Sequence, residues 1–227
     1  MPPKSETKAP TLAANAIHLF VGASKSGKSH LLHYMLMNTL MARKLKFGVV
    51  FCSTKFNNAY DWIQDKYVYD NLGPEGLNAY LSALKAIAKS GKPIPPNFIV
   101  VDDCLVGAAQ SSRWWLSFLS KARHYTTLIV TTQHVNKAAE FLRSQADYVY
   151  IFRQFTMPAI ETSFESFGAL LSTKKAWQKF IDDHTTAAHQ CVVYDKNSPL
   201  VLTDRYHTMI APAKLKDIKF VFDSQPS

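Results

Sequence analysis

The chain has 227 residues, 47% of them hydrophobic and 19% charged. These are ordinary globular values that argue against a disordered chain or a coiled coil, and no run of 18 apolar residues is present to span a membrane. Lys and Arg number 26 against 17 Asp and Glu, a formal charge of +9, which fits a polyanionic partner and equally a lysine-rich solvated surface. The three cysteines, Cys52, Cys104 and Cys191, stand far apart, as expected in a reducing compartment without a disulfide framework, and the N-terminus lacks the apolar core of a signal peptide.

The stretch MPPKSETKAPTLAA (1–14) is Pro- and Lys-rich without apolar periodicity and reads as a mobile tail, as do residues 223–227 at the other end. IHLFV (17–21) is a continuous apolar run, the pattern of a strand buried on both faces. A Gly/Ser-rich loop leads to HLLHYMLMNTLMARK (30–44), where Leu32, Met35, Leu36, Thr39 and Leu40 recur at helical spacing. FGVVFCS (47–53) is a second strand. Gly73-Pro74 breaks the chain before the helix LNAYLSALKAIAKS (77–90), which Gly91 ends. FIVVDD (98–103) is a third strand, SSRWWLSFLSKAR (111–123) a helix, TTLIVTTQ (126–133) a fourth strand, KAAEFLRS (137–144) a helix and DYVYIFR (147–153) a fifth strand. ETSFESFGALLSTKKAWQKFID (161–182) reads as one longer helical stretch, and CVVYD (191–195) with LVLTD (200–204) as a hairpin around KNSP. Apolar strands alternating with helices define an α/β fold: a central, mainly parallel sheet flanked by helices. A C-terminal β-hairpin is added from about residue 185, within one domain spanning 15–222.

Gly22, Ala23, Ser24, Lys25, Ser26, Gly27, Lys28 and Ser29 spell G-x-x-x-x-G-K-S/T, the phosphate-binding P-loop. It lies between an apolar strand and an amphipathic helix, as its chemistry requires. The loop's N–H groups and the helix N-terminus wrap phosphate, and the two glycines let the backbone curl and approach closely. Lys28 is placed to contact the β- and γ-phosphates and Ser29 to coordinate Mg²⁺.

FIVVDD places two carboxylates at the end of a buried strand, the edge where open α/β sheets bind ligands. Successive strand residues face opposite ways, so the two carboxylates are expected to do different work. Asp102 is assigned to the Mg²⁺ shell and Asp103 to polarising the attacking water as general base. Gln133 ends the fourth strand as a neutral polar residue able to bond both a γ-phosphate and a water. These spacings alone point to nucleoside triphosphate hydrolysis.

A P-loop, then FIVVDD, then a strand ending in TTQ, in that order, resembles the FtsK–HerA superfamily of DNA-pumping ATPases. The segment KARHYTTLIVTTQHVNKAAEFLRSQADYVYIF (121–152) is similar to that of the poxvirus-type genome-packaging ATPases of large DNA viruses and virophages. The likeness covers roughly residues 15–155. Two departures are Lys25, where many relatives have a third glycine, and Asp103, where Glu is usual outside the viral branch. The resemblance implies a P-loop NTPase sheet of order 5-1-4-3-2, so that the Gln133 strand lies between the P-loop strand and the acidic strand. It further implies ATP and Mg²⁺, sequence-independent double-stranded DNA as track, a homo-oligomeric ring, a capsid or portal-vertex partner, and a place inside the infected host cell or on the virion.

Arg123 and Arg143 are candidates for stabilising transition-state charge. Arg123 precedes a strand of about seven residues, so it lies roughly 20 Å from the end that carries Gln133. Arg143 follows a descending helix and is expected near the same far edge. A catalytic arginine at either position therefore acts on a neighbouring subunit, and the resemblance favours Arg123. His30 and His33 at i,i+3 lack further metal ligands and read as a packed or solvated pair. Cys104 has no partner for nucleophilic chemistry. Trp114 and Trp115 with Arg113 read as one buried ring and one at an interface rather than a base-stacking pair, and Lys174, Lys175, Lys179 and Trp177 as a solvated helix face rather than a DNA channel. Three other classes share the P-loop: a helicase-type ATPase on single strands, a nucleotide kinase, and a non-hydrolysing switch. No Arg-rich lid follows the fourth strand to favour the kinase, and the acids with Gln133 argue against the switch.

Overall fold

The computed structural model describes residues 4–5, 10–54, 59–105, 112–133, 135 and 140–222. Its strands are β1 (Lys4–Ser5), β2 (Ile17–Val21), β3 (Phe47–Cys52), β4 (Val68–Tyr69), β5 (Asn97–Asp102), β6 (Thr127–Thr132), β7 (Tyr148–Ile151), β8 (Gln190–Asp195) and β9 (Tyr206–Ile210). Its helices are α1 (Lys28–Met41), α2 (Pro74–Lys89), α3 (Arg113–Ala122), α4 (Glu140–Gln145), α5 (Met157–Phe167), α6 (Lys174–His184) and α7 (Leu202–Arg205). Residues 137–139 of the expected fourth helix, Ser111 of the third and the terminal stretch 223–227 lie outside the described residues.

All nine strands form one sheet of order β1-β9-β8-β7-β2-β6-β5-β3-β4. The five strands expected from the sequence occupy its centre as β7-β2-β6-β5-β3, all parallel and in the expected order. Every residue of β2, β3, β5 and β6 is buried, which is why these segments read as unbroken apolar runs. The sheet is wider than the expected five strands plus hairpin: β4 extends one edge, and β1 extends the other beyond the hairpin strands β8 and β9.

Three expectations need correction. The hairpin partner of β8 is Tyr206–Ile210, not 200–204. Leu200 and Val201 are 73% and 50% exposed, and the chain makes a helical turn at α7 before the strand begins. The turn delivers Tyr206, fully buried, among Trp177, Phe180 and Tyr194, with its hydroxyl donating to the Phe167 carbonyl. That aromatic burial outweighs the β-propensity of LVLTD. The long stretch 161–182 is two helices, because α5 ends at Gly168, where a Cβ would lie 2.5 Å from the Phe164 ring. The chain restarts at Thr173, whose side chain accepts from the Ala176 N–H at 3.1 Å. Residues 10–14, read as tail, are held: Leu12 is 1% exposed and its N–H donates to Thr39 Oγ1 at 2.8 Å, while Asn38 donates to the Pro10 carbonyl. Lys4 and Ser5 pair with β9.

The lysines of α6 lie on a solvated face, as expected, but Trp177, expected on that same face, points inward. Trp177 is buried, with its indole N–H on Ser163, while Lys174 pairs with Glu161 and Lys179 with Asp183. Trp115 is buried and Trp114 peripheral.

Candidate nucleotide site

The buried strand β2 delivers Gly22 to the carboxyl edge of the sheet, where its N–H donates to the Thr132 carbonyl at 3.2 Å. A Cβ on Gly22 would stand 2.6 Å from Phe152 and 2.7 Å from Ser26 Oγ, so only glycine fits. Gly27 has φ of 99°, and Lys25 has φ of 61°. The missing third glycine therefore falls at a left-handed position, which costs an L-residue roughly 1–2 kcal/mol. Lys28 begins α1 and is 5% exposed; its ammonium donates to the Gly22 carbonyl at 2.7 Å and the Ala23 carbonyl at 3.0 Å. Burial pushes the Lys28 pKa down, and Asp103 and then Asp102 oppose the shift through their charges. Ser24, Lys25 and Ser29 are exposed at the mouth, and Ala23 and Ser26 half-buried.

Asp102 ends β5 and is 5% exposed. Its Oδ1 accepts from the Thr131 hydroxyl of β6 and its Oδ2 from the Tyr60 hydroxyl at 2.9 Å, with the Cys52 thiol 3.7 Å away. Burial pushes its carboxyl up; Thr131 and Tyr60 pull it back, Asp103 adds to the rise and Lys28 opposes it. Asp103 turns the chain with φ of 51°. Its N–H donates to Thr131 Oγ1 at 3.1 Å, and its Oδ2 accepts from Gln133 Nε2 at 3.0 Å. The two carboxylates thus part company as expected, through a left-handed residue rather than strand alternation alone. Asp102 is fixed inside and Asp103 half-exposed beside Gln133.

The structure therefore brings Lys28, Asp102, Asp103 and Gln133 together at the carboxyl ends of β2, β5 and β6. The donors suit a hard divalent cation: the Ser29 hydroxyl and a buried carboxylate that keeps a free lone pair after accepting from Thr131, Tyr60 and the Cys52 thiol. Among the described residues no cluster of three or more His, Cys, Asp and Glu is suited to hold a metal by itself.

Arg123 lies at the opposite end of β6 and donates to the Gln145 carbonyl at 3.0 Å and the Gln145 side chain at 3.3 Å, with Asp147 at 4.0 Å. Arg143 donates to Ser166 Oγ at 3.0 Å and the Val135 carbonyl at 3.3 Å. Sequence reasoning missed Tyr60 and Thr131. Thr131 carried a signal, since it lies two residues before Gln133 on the same strand. Tyr60 lies in an irregular stretch with no periodicity to mark it.

A mainly parallel sheet with the P-loop strand beside the glutamine strand, and the acidic strand next in order, is the strand arrangement that the resemblance to FtsK–HerA-type ATPases implied. Among solved structures it resembles the genome packaging NTPase B204 from Sulfolobus turreted icosahedral virus 2 in complex with AMPPCP, with a TM-score of 0.61 at 18% identity, covering 87% of this chain and 98% of that one. The cytoplasmic domain of the Thermomonospora curvata type VII secretion ATPase EccC gives a TM-score of 0.58 at 16% identity, over 89% of this chain and 26% of that one. At these identities the likeness is one of fold. No family model matches the chain. Uncharacterized protein 075L of Invertebrate iridescent virus 6 is 26% identical over 138 residues, 59% of this chain and 53% of that protein. Uncharacterized protein 088R of Invertebrate iridescent virus 3 is 22% identical over 167 residues, and uncharacterized protein 015R of Frog virus 3 (isolate Goorha) 23% over 195 residues. The chain spans 53% to 64% of the length of these three viral proteins.

Proposed function

We propose that the chain hydrolyses ATP with Mg²⁺ and that the hydrolysis drives double-stranded DNA into a viral capsid. The observation that carries the hydrolytic part is the Gln133–Asp103 hydrogen bond of 3.0 Å beside the buried Lys28 ammonium. The P-loop N–H groups hold the phosphates and Lys28 neutralises charge that develops on the β/γ oxygens. Ser29 and Asp102 hold Mg²⁺, which supplies further charge neutralisation when bound. Gln133 orients a water against the γ-phosphorus and Asp103 accepts its proton. The new P–O bond forms as the bond to the β,γ-bridging oxygen breaks, releasing ADP and phosphate. Asp103 is one methylene shorter than glutamate, so the water sits closer to the backbone than in a glutamate enzyme.

The motor step rests on the fold likeness to B204, on the viral origin of the sequence relatives and on the net charge of +9, which suits phosphate contacts that read no sequence. In this reading the subunits form a homo-oligomeric ring on a capsid or portal-vertex protein. Arg123, a strand length away from its own site, stabilises charge at the neighbour's γ-phosphate. Among the described residues no helix is long and apolar enough to cross a membrane. The test is phosphate release with no DNA, duplex DNA and single-stranded DNA, alongside solution mass. Duplex stimulation of an oligomer supports the motor; single-strand stimulation alone selects a helicase-type ATPase instead; a monomer that phosphorylates a small acceptor replaces both.

A further inference from the structure

Two histidines that the hydrolytic chemistry does not use flank the P-loop. His189 directly precedes β8, and because β8 runs antiparallel to β7 with Val192 opposite Ile151, it lies at the same carboxyl edge as the site. The sheet order sets Asp102, Asp103 and Gln133 on one flank of the P-loop strand and β7 and β8 on the other. A triphosphate whose γ-end meets the acids must therefore run its nucleoside toward the β7–β8 flank. His189 fills the space over Gly27: a Cβ there would stand 2.7 Å from His189 Nδ1 and 2.9 Å from its Cα. His189 has φ of 59°, a left-handed conformation that a non-glycine residue keeps only under strain. Its Nδ1 is buried without a hydrogen-bond partner among the described residues.

The ring of His189 stacks on that of His30, with centroids 4.0 Å apart and planes 24° apart. His30 follows Ser29 and stands about 200° around α1 from Lys28, hence away from the acids. Its Nε2–H donates to the Pro212 carbonyl at 2.7 Å, just beyond β9. The strands added at the C-terminal side thus hold a half-buried aromatic pair at the flank by which the nucleoside leaves the phosphate loop.

We propose that the stacked His30–His189 pair is the wall against which the base and ribose of the bound nucleoside triphosphate pack. The inference rests on the nucleotide-site reading above. Its test is calorimetric titration of the full chain, with Mg²⁺, by ATP and by inorganic tripolyphosphate, which keeps the phosphates and lacks the nucleoside. His189→Gly removes the ring while suiting the left-handed backbone, and His30→Ala removes the stacking partner. Both are expected to weaken ATP on the order of tenfold, the size of base-on-ring stacking, and to leave tripolyphosphate unchanged. His30→Phe, which keeps a stacking ring, should stay near wild type. Equal weakening of both ligands would show that the histidines only shape the loop, and unchanged ATP affinity would show no nucleoside contact; either overturns the inference. Should wild-type protein bind neither ligand, the phosphate-site reading itself fails. His30→Ala, on the half-buried side of α1, keeps the test open if the glycine variant does not fold.

Discussion

Tyr60→Phe removes one oxygen atom and nothing else, which makes it a sharp probe of the acidic centre. The hydroxyl donates to Oδ2 of a carboxylate that is 5% exposed, and Thr131 holds the other oxygen. A hydrogen bond to a charged group contributes roughly 1.5–3 kcal/mol. If half of that serves to aim Asp102 at the cation, kcat falls about three- to tenfold, since 1.36 kcal/mol is a factor of ten. The P-loop contacts are untouched, so KM for ATP should change by no more than about threefold. Tyr80→Phe is the control: its hydroxyl is also buried, donates to Asn97 at 3.1 Å, and has no part in the site. Both variants are compared by urea unfolding and by steady-state phosphate release. The reasoning is refuted if Tyr60→Phe and Tyr80→Phe lose stability alike and show the same kcat, because Tyr60 would then be packing alone.

Burial holds His18 at a pKa of about 4, and burial beside His30 does the same to His33. Both lie below the unfolded value near 6.5, so the unfolded chain takes up protons that the fold refuses. Stability should therefore be full above pH 6.5, fall between pH 6.5 and 4, and level off below; His18 contributes up to about 3 kcal/mol and the less buried His33 a smaller share. Urea midpoints across that range check this: His18→Phe should flatten the slope, and an already flat wild-type curve contradicts it. Lys25→Gly should leave the fold intact and stabilise it by up to about 1 kcal/mol, because Lys25 has a left-handed backbone; destabilisation in thermal unfolding would mean that its side chain makes a compensating contact. Arg123→Ala should abolish hydrolysis alone yet recover it when mixed with Lys28→Ala subunits, since a site with an intact Lys28 beside a neighbour with an intact Arg123 is then complete; no recovery over a range of mixing ratios speaks against action across subunits.

Much of this architecture was legible because burial on both faces leaves a mark. Val49, Val50, Ile99, Val100, Leu128 and Ile129 are all nearly or wholly inaccessible, and such strands must be apolar without alternation. The P-loop was legible because few other residues tolerate its backbone. Gly22 is crowded by Phe152, and the left-handed φ at Lys25 supplies a backbone reason for the glycine that many relatives carry there. What escaped detection depends on partners distant in sequence. Tyr60 matters through Asp102, 42 residues away, and Leu12 through Thr39, 27 residues away; neither leaves a periodic trace. The second hairpin strand was misplaced because LVLTD has strand-like composition, whereas the choice is made by the pocket that Trp177, Phe180 and Tyr194 build for Tyr206. Arg123 lies at the far end of β6 as strand geometry predicted, tied to Gln145.

The most direct measurement is single-turnover release of phosphate from Mg²⁺-ATP by wild type, Asp103→Asn and Gln133→Ala, with ATP binding followed in parallel. The account predicts that all three bind ATP with similar affinity while both variants cleave it at least about a hundredfold more slowly, as expected when a water-activating group is removed. Cleavage at the wild-type rate in either variant would contradict it, because the carboxylate and amide that meet beside Lys28 would then have no part in breaking the γ-phosphoryl bond.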